Sequence, residues 1–319
     1  MTLPNPVDYA VPAFVLLVLA EMLVARAKDR RRYEPRDTLT SLALGTGSTV
    51  AGALSLGLVV AMATWVWQFR IFEIGYQWYW FVLCFVLDDF AYYLFHRSAH
   101  RVRWFWASHV IHHSSQHYNL STALRQTWTG FLSIAFVFRL PLFLIGFPVP
   151  MVLFVGGLNL IYQFWIHTEA IRRMPGWFEA VMNTPSHHRV HHATNARYLD
   201  RNYAGVFIVW DRWLGSFEPE RDDDPPRYGI VKDLGSFNLL WAATHEWVGI
   251  ARDVWHAPTW RARLLYMIAP PGWSHDGSRD TSEMIRERWR AREERGTAWK
   301  RPTSSSSAED RAGAPPRAA

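Results

Sequence analysis

The stretch DDFAYYLFHRSAHRVRWFWASHVIHHSSQHYNLSTALRQ, residues 88–126, holds six of the chain's fourteen histidines: His96, His100, His109, His112, His113 and His117. His96 and His100 lie four residues apart, and His109, His112 and His113 follow at spacings of three and four. On a helix both spacings place imidazoles on one face, with Cβ atoms about 5–6 Å apart. Two such side chains reach the same metal ion. The H-x-x-H-H pattern returns at His188, His191 and His192, and His167 stands alone at the end of an apolar run. Nine imidazoles exceed what one four-coordinate ion uses. They suit two neighbouring metals, each with an open position. A single histidine at helical spacing is usually a packed or surface residue; three boxes in register make a shared metal site the better reading.

Working outward, composition narrows the class. Aromatic residues make up 15% of the chain and tryptophan alone counts 18, which with long apolar runs points to a protein that meets a bilayer. Mean hydropathy is only −0.09, so a sizeable polar part shares the chain with the membrane part. The net charge of +6 is carried almost wholly by arginine, a bias that fits a GC-rich bacterial gene. The basic runs flank apolar segments, which makes them membrane-side anchors and not a nucleic-acid surface. The single cysteine, Cys84, excludes a disulfide framework and leaves metal binding to nitrogen, with some oxygen.

The expected fold is all-α: an integral membrane helical bundle of about five apolar segments with a histidine-rich helical cap on the cytoplasmic side. Residues 9–25 read as an uncleaved membrane helix, since no basic segment precedes them. The arginine-dense loop 26–36 that follows is placed inside by the positive-inside rule. Residues 39–67 return outward, 76–95 run back inward, and 128–147 with 150–167 form a membrane hairpin. All nine histidines then fall on the cytoplasmic side, and in a bacterium the membrane is the inner one. Asp88, Asp89 and Arg139 sit inside apolar segments and call for partners. Residues 236–268 read as an amphipathic helical region on the interface, and 281–299 as a charged surface helix. The organisation is 1–38 (first helix and basic loop), 39–235 (di-metal domain), 236–299 (amphipathic and charged helices) and 300–319 (disordered tail).

The strings HRSAH at 96–100, SHVIHHSSQHYNLSTALRQ at 108–126, QFWIHTE at 163–169, NTPSHHRVHH at 183–192 and NYAGVFIVWDRWLGSFE at 202–218 resemble the fatty acid hydroxylase/sterol desaturase superfamily of membrane di-iron enzymes. They are similar in particular to its alkylglycerol monooxygenase branch. Arg101 follows His100 where relatives often carry glutamate. The resemblance implies a pair of irons, O2 as co-substrate, a membrane lipid as substrate, and electrons from a reduced tetrahydropterin or a separate reductase. It implies His96, His100, His109, His112, His113, His167, His188, His191 and His192 as ligands, with His187 as an alternative to His188. Asp89 is placed either to accept a ligand imidazole N–H or to pair with an arginine. Glu169, two residues beyond His167, is a candidate for the same support, and Asn119 and Arg125 either orient substrate or pair within their loop. His245, His256 and His275 have no box around them and read as surface residues. Lipid hydroxylation, desaturation and a non-redox zinc enzyme remain open at this stage, because imidazole accommodates iron, zinc and copper alike. A transporter would instead spread its histidines along the spans.

Overall fold

The structure is a computed structural model that describes residues 3–28 and 32–296. The expected disorder of 300–319, and residues 29–31 of the basic loop, lie outside the described residues. Three helices are long and apolar enough to cross a membrane: α1 (Pro6–Ala27), α2 (Pro35–Trp67) and α3 (Trp78–Arg101). At 1.5 Å per residue they extend about 33, 50 and 36 Å, against a hydrocarbon core of about 30 Å. Prolines open α1 and α2, where the missing N–H costs nothing, and the side chains of Asn5 and Glu34 cap their first turns. Leucine and valine side chains such as Leu16, Leu23, Leu54 and Leu58 stay exposed along α1 and α2, the surface a lipid phase would cover.

α3 ends at Val102, which takes an extended conformation, and α4 (Arg103–His113) starts at once. This one-residue break folds α4 back against α3 and carries the second histidine box onto the first. Asp88 and Arg139 find each other: the Arg139 Nε lies 2.6 Å from the fully buried Asp88 carboxylate.

The run 128–147 does not form the spanning arm expected of it. It breaks into turns, a short 3-10 segment over Ala135–Arg139 and the six-residue α5 (Leu140–Ile145). Pro141 has no N–H to continue a helix from above, and Ile134 sits in the left-handed region at φ 48°. Gly146, at φ 128°, then makes a turn so close to the Phe72 carbonyl that a Cβ would collide with it. α6 (Val149–Trp165), about 26 Å long, packs against α1 and α3 and brings His167 to the histidine end. The fourth and fifth apolar segments are thus a short helical hairpin.

The remaining helices are short or peripheral: α7 (Gly176–Val181), α8 (Pro185–His191), α9 (Val209–Trp213), α10 (Leu239–His256), α11 (Trp260–Ile268) and α12 (Ser282–Glu294). Among the described residues there is no strand, only isolated bridges such as Met182 with Phe207. An apolar core around Cys84, Phe147, Met151 and Val152 fills the end of the bundle away from the histidines. α10 packs Ala242 and Ala243 against Leu44 of α2 and Ile111 of α4. Arg103 locks its other half, at 2.6 Å from both Glu246 and Asp253.

Candidate metal centre

The structure brings the nine histidines together in two adjoining groups. His96, His100, His109, His113 and His191 form one, and His112, His167, His188 and His192 the other; within each, the candidate ligand nitrogens lie within 4.8 Å of one another. Contacts between Nε2 atoms run from 2.9 Å (His96 to His109) through 3.0 Å (His167 to His188) to 3.2 Å (His112 to His167). Neighbouring nitrogens around an ion bound at the usual imidazole distance stand about 3.0–3.4 Å apart. The spacing is that of ligands around a cation.

The opposite ring nitrogens say the same. His96 Nδ1 faces the Tyr203 carbonyl at 2.7 Å, His112 Nδ1 that of Arg125 at 3.2 Å, His167 Nδ1 that of Gln163 at 2.7 Å, and His191 Nδ1 that of Arg201 at 3.0 Å. A carbonyl only accepts, so each Nδ1 carries the proton and each Nε2 presents a lone pair inward. His100 Nδ1 lies 3.5 Å from the Asp200 carboxylate. The Nε2 atoms of His100 and His191 are buried with no protein partner. Buried polar atoms seldom go unpaired, and a metal supplies the missing partner.

Burial holds the imidazoles neutral. It pushes His109, His113, His188, His191 and His192 well below the usual imidazole range, aided by their mutual repulsion. His112 is pushed down to about 4, again mainly by burial. Neutral rings cannot bridge their facing lone pairs with shared protons, whereas a cation can.

The other candidate residues fall around this centre without entering it. Asp89 meets no imidazole; its carboxylate accepts from the Asn159 amide, the Val206 and Phe207 N–H groups and the Trp210 indole, at 2.8–3.0 Å. It pins to α3 the loop whose Tyr203 carbonyl orients His96. Asn119 donates to the Arg32 carbonyl and accepts from Ser121, tying its own loop. The buried Arg125 guanidinium lies 2.9 Å from the Asp37 carboxylate and donates to Ser114, so α2 supports the loop whose carbonyl orients His112. Glu169 accepts from Tyr228 at 3.0 Å and faces Arg32 at 3.7 Å. His187 points away, its ring against Phe217, and His188 takes the place in the group. His117 lies outside both groups. His245 is half-buried and lines a cavity.

Two supports were not foreseen. Glu21 of α1 accepts from Tyr33, from the Leu120 N–H and from Thr168, and so links the first helix to both histidine-bearing loops. Asp211, fully buried, accepts the N–H groups of Tyr203 and Ala204 at 2.8 Å. A lone acid inside the apolar run 9–25 was the available signal for Glu21; nothing local marks Asp211.

A cavity of about 720 Å3 opens beside the centre, touching His100, His113, His191 and His192 and walled on its far side by Trp241, Glu246 and Arg252 of α10.

Residues 81–216 match the family model for fatty acid hydroxylase. This segment is similar to the fatty acid hydroxylase family. The chain is 38% identical over 277 residues to the alkylglycerol monooxygenase of Homo sapiens, covering 85% of this chain and 60% of that one. The alkylglycerol monooxygenase of Xenopus tropicalis is 37% identical over 275 residues with the same coverage. The ornithine lipid hydroxylase of Rhizobium tropici is 30% identical over 146 residues, 46% of this chain and 42% of its own. The chain therefore spans about three-fifths of the length of these two alkylglycerol monooxygenases. No solved structure matches it. The matched segment runs from α3 to the Ser216 that bonds Asp211, and it contains all nine histidines.

Proposed function

We propose that this protein is an O2-dependent di-iron monooxygenase of the membrane that hydroxylates a lipid alkyl chain. The observation that carries the reading is the convergence of nine imidazoles into two candidate ligand groups within a segment that matches the fatty acid hydroxylase family model. Two irons held there would activate O2 and remove hydrogen from an unactivated C–H bond. His96, His100, His109, His113 and His191 would hold one, and His112, His167, His188 and His192 the other.

The chain's own part is binding, orientation and exclusion of water. The carbonyls of Tyr203, Arg125, Gln163 and Arg201 fix four rings so that their Nε2 atoms face inward. Trp106, Val110, Leu199 and Ile285 give the cavity an apolar lining beside the histidines, suited to an alkyl carbon. The relatives' names point to ether lipids: hydroxylating the carbon next to an ether oxygen gives a hemiacetal, which collapses to an aldehyde and an alcohol. The electrons come from outside the chain, from a reduced pterin or a separate reductase. The histidine end faces the cytoplasm, a placement supported by Arg32 of the basic loop, which bonds the Glu169 carbonyl at that end.

The test is metal analysis of the detergent-purified protein together with O2 uptake on alkyl lipids and a reduced pterin. Iron at about two ions per chain with lipid-dependent O2 uptake supports the reading. Zinc alone after iron-supplemented, anaerobic expression, with no O2 uptake, overturns it.

A further inference from the structure

One side of the four-histidine group carries a feature that ligand support does not explain. Tyr118, 1% exposed, stacks on His167 at 5.8 Å and 25° and stands 5.2 Å from His192. Tyr228 stacks in turn on Tyr118 at 4.9 Å and 16°, nearly parallel. Its hydroxyl donates to Glu169 at 3.0 Å, and Glu169 is about one-third exposed. A continuous run of π systems thus joins the histidines to a carboxylate at the surface.

The hydroxyl partners decide what the two rings can do. A phenol gives up an electron easily only if its proton has somewhere to go. Tyr118 donates to the Ile166 backbone carbonyl at 3.0 Å, which is not a base. Tyr228 donates to a carboxylate, which is. Tyr33 also donates to a carboxylate, that of Glu21, but its ring stacks on neither a histidine nor Tyr118, and the tyrosines nearest the five-histidine group have no carboxylate acceptor. The Tyr203 hydroxyl is buried without a partner, and Tyr93 meets Ser216. Trp106, beside His100 at 5.1 Å, lines the cavity. Neither Tyr118 nor Tyr228 lines it, so this route leaves the centre by another wall.

We propose that Tyr118 and Tyr228 form a relay that draws an oxidising equivalent out of the metal centre when no lipid is present to receive it. The proposal rests on the di-iron reading above. In the step, Tyr228 gives up one electron through the Tyr118 ring and becomes a neutral phenoxyl radical, and its proton passes along the hydrogen bond to the Glu169 carboxylate. Irons held by the histidines would, once oxidised by O2, be the acceptor of that one electron. Any exogenous reductant that meets Tyr228 restores the phenol, taking the proton back from Glu169.

The experiment uses the full chain loaded with ferrous iron, oxygenated without lipid, frozen and examined by electron paramagnetic resonance. A tyrosyl signal is expected, with hyperfine splitting that collapses when the protein is grown on ring-deuterated tyrosine. Tyr228→Phe keeps the stacked ring and loses the signal, and Tyr118→Leu, which removes the bridging ring, loses it as well, with iron content unchanged in both. Peptide mass spectrometry of the same samples should show more oxidised side chains near the histidines in Tyr228→Phe than in wild type. An undiminished tyrosyl signal in both variants, or a signal that belongs to tryptophan, overturns the relay. Iron and lipid-dependent O2 uptake without any radical sinks the relay alone; absence of iron and of O2 uptake sinks the functional reading and the relay with it.

Discussion

The two histidine groups differ in what stands behind them. The five-histidine group looks onto the cavity through His100, His113 and His191, while only His192 of the four-histidine group reaches it. Behind the four-histidine group lie Tyr118, the Arg125–Asp37 pair and, through Thr168, Glu21 of α1. The open group is oriented by one loop, 200–211, which Asp89 and Asp211 tie down. The closed group is held by three separate elements: the 114–125 turn, the end of α6 and α8. One side of the centre thereby opens to a cavity and the other is braced by surrounding elements.

The largest expected effects test whether the groups are separate. His109→Ala takes a nitrogen from the open group and His188→Ala one from the closed group. Each should lower bound metal by about one ion per chain and abolish lipid-dependent O2 uptake, read by elemental analysis and an oxygen electrode. Loss of both ions in either variant would merge the two groups into one cooperative centre.

Next in size is the buried pair that backs the closed group. Arg125→Met leaves the buried Asp37 carboxylate without its counter-ion and with only the Ser115 hydroxyl as a partner, at a cost of about 3–5 kcal/mol, visible as a lower unfolding temperature in detergent. Pairing it with Asp37→Leu should recover most of the loss. If the single variant is as stable as wild type, the closed group does not depend on α2.

The pH dependence follows from burial. Protonating an imidazole of the metal-free protein is harder in the folded than in the unfolded chain, so the unfolded chain binds more protons as pH falls. Stability is therefore full above about pH 6.5 and is lost toward about pH 4, with His112 alone accounting for on the order of 3 kcal/mol. Melting curves across that window check the sign. Bound metal opposes the protons, so loaded protein should melt higher and release metal as the pH drops.

Smaller effects separate supports from ligands. Asp89→Asn turns an amide donor toward N–H groups that need an acceptor, costing about 1–3 kcal/mol. It should loosen metal in the open group before the closed one, a difference that stepwise chelation can resolve. Glu169→Gln touches no histidine and sits at the surface, so stability should change by less than about 1 kcal/mol with metal content intact.

The candidate ligand set was legible because histidine spacing is local: three and four residues on a helix decide which rings share a face. His188 and His187 were indistinguishable by spacing alone, since the choice depends on where α8 starts. Asp88 and Arg139 each read as a charge in need of a partner, but 51 residues of chain separate them. The run 128–147 misled because hydropathy measures composition and ignores Pro141 and the turn at Ile134. Asp89 lies seven residues before His96 on α3, yet its four hydrogen bonds come from α6, from the loop before α9 and from the Trp210 indole of α9, not from an imidazole.

What the sequence by itself determined is therefore the candidate chemistry and the class: candidate nitrogen ligands in three boxes, one lone histidine, and helices apolar enough for a bilayer. These follow from residue type and from spacings shorter than one helix. Only the tertiary structure decided how nine rings divide into five and four, which group opens to the cavity, and which carboxylates hold the loops behind them. Those depend on contacts between segments up to about a hundred and fifty residues apart, such as Glu21 with Thr168. Such contacts are set by packing of side chains from several helices at once, and no periodicity in one segment carries that information.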